Sequence, residues 1–341
     1  MSAASQRRSA SPRIMICGLG SIGRRHLRNL QALGVDDLVL LRSGKATLPD
    51  EDLAGIPVEH NLAAALDSWK PDGVVVSNPT SLHAETALAA LRAGSYVLLE
   101  KPVSPTTDLI PALLRAERES AGRVLVGYQF RYHPGLAAVQ DLLNDQAIGM
   151  PVSVSVHWGE YLPGWHPWED YRQSYAAQAK MGGGVVLTLS HPIDYLRWMF
   201  GEVRELFAVT GNASRLGIDV EDFADVNFKF RNGITGMMHL DYYRRPKKHD
   251  LTVVCENGTL HWDYKNSIVT VEKASGEIET IAPPGKNERN QMYLQEMSHF
   301  LDVCEGDSNS VCSYQDGKKA LIIAHGILMS GRHQERVIFE E

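Results

Sequence analysis

Three features of this 341-residue chain have residue types and spacing suited to chemistry: a lysine closing an apolar run, a glycine-rich turn, and a histidine before a helix. Lys101 follows Tyr96-Val97-Leu98-Leu99 and Glu100, and precedes Pro102. A buried strand that ends this way carries an ammonium group to the carboxyl edge of a parallel sheet, where ligands bind in open α/β folds. Upstream, Gly18-x-Gly20-x-x-Gly23 lies between a strand pattern and a helix pattern. In that context the first glycine permits a tight turn and the second lets a pyrophosphate approach the backbone. The third lets helix and strand pack closely, and Ser21 and Ile22 fall in a first helical turn whose N-terminus faces the phosphates. A glycine turn without a ligand is the plain alternative. His191 precedes Pro192, a residue suited to the first turn, so a helix over 192–200 starts at or just after His191. Its imidazole, with an ordinary pKa of about 6.5, can give or take a proton near neutral pH. A capping or packing histidine is the other reading. Asp194 either serves the same chemistry or favours the helix N-terminus.

The nucleotide preference follows from the end of the second strand. An acid there would hold a ribose 2′-hydroxyl and indicate NAD. Leu38-Val39-Leu40-Leu41 instead runs into Arg42-Ser43, with Lys45 beyond. A guanidinium at that place suits a 2′-phosphate, which predicts a preference for NADP; a solvated arginine is the alternative. Further along, Trp165-His166-Pro167-Trp168 offers aromatic faces for a sugar ring, with Glu169, Asp170 and Arg172 for its hydroxyls; burial serves tryptophans equally well. His157, His166 and His191 match no zinc spacing such as HExxH, so no metal is assigned.

These groups need a scaffold. Strand patterns at 13–17, 38–41, 73–77, 96–99 and 124–127 alternate with helical stretches at 21–33, 61–68, 82–93 and 106–121. The last two helices close at Gly94 and Gly122. Such alternation implies right-handed βαβ crossovers and a parallel sheet. After Tyr132 the texture changes to strands at 152–157, 205–211, 225–230, 236–242, 251–255, 259–263 and 268–271. Arg231-Asn232-Gly233 and Glu256-Asn257-Gly258 mark hairpins, and helices over 291–304 and 314–330 close the chain. The expected organisation is a tail over 1–12, a dinucleotide-binding domain over 13–128 and an α+β domain over 129–341 with a large, mostly antiparallel sheet. The final helix is a candidate to pack back on the first domain.

Composition excludes several classes. A net charge of −7 argues against a general nucleic-acid binder. No apolar stretch approaches the roughly 18 residues of a membrane span. The Ser/Ala/Arg-rich start lacks a signal-peptide core and reads as a disordered tail, a transit peptide being the minor alternative. Cys17, Cys255, Cys304 and Cys312 form no paired framework, as expected of reduced thiols in the cytoplasm.

Five motifs fall in one order: Gly18-x-Gly20-x-x-Gly23-x-x-His26, Ser77-Asn78-Pro79-Thr80-x-x-His83, Glu100-Lys101-Pro102, Gly127-Tyr128-Gln129-Phe130-Arg131, and Gly182-Gly183-Gly184 leading to His191-Pro192-Ile193-Asp194. Together they resemble the Gfo/Idh/MocA oxidoreductases, from Arg13 to about Arg332. The segment Gly164–Arg172 further looks like members found near genes for sialic-acid-like sugars and surface polysaccharides. The resemblance implies a Rossmann domain followed by an open-faced sheet that binds substrate and joins copies into homodimers or homotetramers. It implies NAD(P) as cofactor, and an alcohol or ketone of a sugar, amino sugar or cyclitol as substrate. Lys101 would lie near nicotinamide and substrate, and His191 and Asp194 match the family's acid/base histidine and the aspartate after it. Asn78, Pro79, Glu100 and Gln129 match cofactor-side positions, and Arg131 a substrate-side one. His83 either lines the cofactor cleft or sits on a helix surface. Many members carry an aspartate just before the histidine. Here Thr188 takes that slot, either contacting substrate or packing. Two rival functions remain: a redox-cycling lyase, epimerase or glycosidase that keeps its NAD(P), and a non-catalytic NAD(P)-dependent sensor.

Overall fold

The computed structural model describes residues 12–44, 53–119, 124–282 and 289–340. The tail over 1–11, Lys45 and the helix end predicted at Ala121-Gly122 lie outside these residues. The chain divides into two compact units. The first takes residues up to Glu100 with Leu109–Gly127 and Tyr293–Tyr314; the second takes Lys101–Asp108, Tyr128–Met292 and the chain from Gln315 onward.

In the first unit the order is β1 (Ile14–Cys17), α1 (Ser21–Ala32), β2 (Leu38–Leu41), β3 (Val58–Glu59), α2 (Leu62–Trp69), β4 (Gly73–Val76), α3 (His83–Arg92), β5 (Tyr96–Glu100), α4 (Ile110–Glu119) and β6 (Val124–Gly127). Among the described residues its sheet is parallel throughout, in the order β3-β2-β1-β4-β5-β6. This is the dinucleotide-binding arrangement, whose order reverses between β1 and β4. Strands β1, β4 and β6 are buried along their whole length, as strands covered on both faces must be. Helix α4 starts at Ile110, four residues later than the sequence pattern predicts. Pro111 explains the delay, because proline is tolerated in a first turn but breaks a helix interior. Before it, Thr106 Oγ1 bonds Asp108 and its backbone N–H bonds Ser104 Oγ, local bonds that compete with helix.

The second unit adds α5 (Pro134–Asn144), β7 (Pro151–Tyr161), α6 (Val185–Thr188), α7 (His191–Phe200), β8 (Val203–Gly211), β9 (Phe223–Phe230), β10 (Thr235–Asp241), β11 (Tyr243–Cys255), β12 (Gly258–Asp263), β13 (Ile268–Lys273) and β14 (Ile278–Ile281). Helices α8 (Arg289–Glu305) and α9 (Tyr314–His333) and strand β15 (Val337–Ile338) complete the chain. The described strands form a nine-stranded sheet, β14-β13-β12-β11-β7-β10-β9-β8-β15. All neighbours run antiparallel except β7 and β10. Alternation sets its two faces: on β9, Ala224, Val226, Phe228 and Phe230 are buried while Asp225, Asn227 and Lys229 are exposed. Strand β11 begins eight residues before the predicted start, because its charged Arg244–Lys248 stretch continues the strand beyond the covered core. Both predicted hairpins form, β9–β10 and β11–β12.

Candidate functional site

The glycine turn sits where the first sheet reverses order. Gly18 has φ +95°, and a Cβ there would come within 2.5 Å of Asn78 Cα. A Cβ on Gly23 would run into the Gly18 carbonyl oxygen. Gly20 differs: nothing lies within 4 Å of the place its Cβ would take, so its backbone is open to close approach. Helix α1 starts there without a side-chain cap and without an acidic residue in its first turn. Its Ser21 and Ile22 amides therefore form an unneutralised positive end, a cradle that fits a phosphate. Ser77 Oγ donates to the Gly18 carbonyl at 3.0 Å and pins the end of β4 to the turn. Pro79 is exposed, and Asn78 Nδ2 donates to Thr86 Oγ1 at 2.8 Å. His83 is buried against the Asn78 carbonyl at 2.9 Å, which removes the helix-surface reading. Arg42 leaves β2 with its N–H on Glu59 O and its carbonyl on His60 Nδ1, and Ser43 beside it is exposed.

Glu100 turns inward. Its Oε1 lies 2.8 Å from His26 Nε2, joining two of the sequence motifs inside one unit. Glu296 of α8 completes a buried trio with them. Both Glu296 carboxylate oxygens lack a hydrogen-bond partner among the described residues. Burial, then the charge of Glu100, pushes this carboxyl well above its ordinary value, which favours its protonated form in the folded chain. In the unfolded chain the group ionises near pH 4.5. Its stabilisation is thus full below that pH and is lost as pH rises towards the folded value, by up to about 1.4 kcal/mol per pH unit. Glu296→Gln removes this slope, so the Tm advantage of the variant is expected to widen between about pH 5 and pH 8. Parallel Tm curves for the two proteins would contradict a buried neutral carboxyl.

The reactive side chains predicted downstream gather in the second unit. Lys101 Nζ donates to the Thr188 carbonyl at 2.7 Å. Thr188 ends the short helix α6, and His191 opens α7 three residues later. The imidazole packs against Tyr128, Phe130 and Trp158, with ring centroids 5.5, 4.9 and 5.6 Å away. Its Nδ1 has no hydrogen-bond partner among the described residues. Burial, then the charges of Lys101, His249 and Arg289, pushes His191 well below pH 6.5, so it stands neutral and able to accept a proton. Asp194 and Arg131 are committed to each other, through Nε–Oδ2 at 2.9 Å and Nη2–Oδ1 at 2.7 Å.

Comparison with known proteins follows the same division. Residues 12–128 match the family described as "Oxidoreductase family, NAD-binding Rossmann fold", and residues 136–261 match the "GFO/IDH/MocA C-terminal domain". The chain belongs to the Gfo/Idh/MocA oxidoreductase family. A myo-inositol 2-dehydrogenase of Thermotoga maritima is 25% identical over 351 residues, covering 96% of this chain and 99% of the relative. A 1,5-anhydro-D-fructose reductase of Ensifer adhaerens is 26% identical over 285 residues, covering 80% and 78%. Levoglucosan dehydrogenase, solved with NADH and levoglucosan, superposes with TM-score 0.83 at 20% identity, covering 97% of this chain and all of the other. That likeness is one of fold.

In this Gfo/Idh/MocA chain the indole loop divides. Trp165 packs edge-on to Tyr242 at 5.7 Å, whereas Trp168 is 63% exposed beside His166. Arg172 lies over the Tyr171 ring and lines a separate cavity of about 300 Å³ with Gln178, Lys180 and Asp219, which none of Lys101, Thr188 and His191 borders. Gln129 is buried in the turn that carries Phe130 and Arg131. Sequence reasoning missed the aromatic wall around His191. His249 stacks on Trp158 at 4.3 Å and its Nε2 meets the Tyr195 hydroxyl at 3.1 Å. The signal was present: His249 alternates with Leu251, Val253 and Cys255 on the buried face of β11.

Proposed function

We propose that this chain transfers a hydride between NAD(P) and a secondary alcohol or ketone of a sugar, amino sugar or cyclitol. The observation that carries this reading is a Lys101 ammonium anchored to Thr188 beside a buried, neutral His191. In the oxidising direction the substrate hydroxyl gives its proton to His191, while Lys101 stabilises the charge that develops on the oxygen. In the reducing direction the imidazolium returns that proton. A bound nicotinamide supplies the hydride acceptor or donor. The open backbone at Gly20 and the amides of Ser21, Ile22 and Gly23 would hold the pyrophosphate, with Asn78, Pro79, His83, Glu100 and Gln129 as further cofactor-side residues. The relatives are named for reactions of inositol and of 1,5-anhydro-D-fructose, which supports the substrate class. Trp165, Trp168 and Thr188 are the proposed substrate-side residues, whereas Arg131 is held by Asp194 and Arg172 lines the separate cavity.

Arg42 and Ser43 at the end of β2 favour NADP over NAD. Arg42→Asp is expected to raise KM for NADP at least tenfold while leaving that for NAD within a factor of about three, the scale of one charge-assisted contact. Equal constants for both cofactors, unchanged by the substitution, would defeat the preference. The exposed face of the nine-stranded sheet carries Phe207, Val209, Met237 and Val254, which supports association of copies into a dimer or tetramer.

The test is a panel of free, N-acetylated and nucleotide-activated sugars and cyclitols with both cofactors, followed by nicotinamide absorbance. Substrate turnover with stoichiometric change in the nicotinamide, lost in His191→Asn, is the expected result. Turnover without net nicotinamide change, or binding without turnover, would overturn the reading in favour of redox cycling or of a sensor.

A further inference from the structure

We propose a zinc-class divalent cation site on the exposed face of the nine-stranded sheet, formed by His157, His239 and Asp241. The spacing that argues against a metal in the sequence concerns His157, His166 and His191. Strand register builds a different set. Parallel pairing of β7 with β10 places His157 directly beside His239, and antiparallel pairing of β10 with β9 places Asp225 on the other side of His239. Asp241, two residues beyond His239, shares its face.

The donor atoms converge. One donor atom each from His157, His239 and Asp241 lies within 4.8 Å of the other two. Asp241 Oδ2 is 3.2 Å from His239 Nε2 and 3.7 Å from His157 Nε2. The longer distance is an ion-pair contact and no hydrogen bond, and His157 Nε2 has no hydrogen-bond partner among the described residues. Ligands bound at about 2.0 Å in a tetrahedron stand roughly 3.3 Å apart, between the two separations seen here. Two imidazoles and a carboxylate with one position left to solvent form a donor set that suits zinc and its neighbours. In the single chain the histidine side chains are 25% and 26% exposed.

The surroundings hold the donors in place. His239 Nδ1 lies 2.6 Å from Asp225 Oδ1, the carboxylate–imidazole contact that fixes the proton on Nδ1 and turns the Nε2 lone pair outward to a metal. Asp241 Oδ1 accepts the Tyr243 N–H at 3.0 Å, leaving Oδ2 for the cation. Gly159 provides the space, since a Cβ there would strike Asp241 Oδ2.

Untagged protein, stripped with a chelator and titrated with zinc chloride, is expected to take up one zinc per chain. His157→Ala and His239→Ala should each weaken binding at least a hundredfold, and Asp225→Asn about tenfold, while His166→Ala leaves it unchanged. Cobalt(II) in the wild-type chain should give the intense visible bands of a four-coordinate N/O site, a readout that needs no variant to fold. Failure of the wild-type chain to bind zinc, absence of those bands, or equal zinc uptake by a folded His157→Ala/His239→Ala double variant would each overturn the assignment.

Discussion

Lys101→Met is expected to lower kcat roughly a thousandfold, the scale of losing a group that stabilises a developing oxyanion. Methionine keeps the aliphatic stem after β5 and removes only the ammonium, which now donates to the Thr188 carbonyl at 2.7 Å. A second effect identifies the chemistry. His191 accepts a proton only when neutral, so activity falls as pH drops through its pKa. Burial contributes most to keeping that value well below 6.5, and the Lys101 charge contributes next. Removing the charge moves the acid limb of the pH–rate profile upward, towards 6.5 but not past it, because burial remains. A purely structural lysine would give lower Tm and lower kcat with an unmoved acid limb. A variant within tenfold of the parent kcat would remove Lys101 from the proposed chemistry altogether.

Why Lys101 was legible and His239 was not comes down to the range of the interaction that places each. Lys101 is fixed by its own strand and by Pro102, both adjacent in sequence. The three glycines are legible for the same reason: each answers a local constraint, a positive φ at Gly18, open backbone at Gly20 and close packing at Gly23. Glu296 went unread, although it is a lone carboxylate among Met292, Tyr293, Met297 and Phe300 on the buried side of α8. Strand register is non-local, and no spacing within β7 or β10 announces that His157 and His239 become neighbours. The delayed start of α4 is a different kind of miss. Pro111 carried the information, and helical periodicity alone overrode it.

Arg131→Met is expected to destabilise the protein by about 3 kcal/mol or more, the range for leaving one partner of a buried ion pair uncompensated. The two side chains are 6% and 1% exposed, and the pair is bidentate. Arg131 also approaches Asp316 at 3.5 Å, and Arg197 links that group to Glu202, so the loss reaches a network of charges. Burial already raises Asp194 above its ordinary 3.8 against the pull of Arg131. Without the guanidinium the folded carboxyl rises further, while the unfolded one stays near its ordinary value. The unfolded chain then binds fewer protons over a wider window, so the deficit of the variant grows as pH rises. Urea unfolding at about pH 5 and pH 8 should show that growth, and a small, pH-independent loss would mean that the pair is solvated. The double variant Arg131→Met/Asp194→Leu separates the two readings of Asp194. Apolar replacement of both partners is expected to recover most of the stability, as it often does for buried pairs. If Asp194 serves by holding Arg131 against the first turn of α7, and so His191 in place, kcat recovers along with stability. If its carboxylate takes part in the reaction, the double variant folds well and turns over no faster than Asp194→Asn.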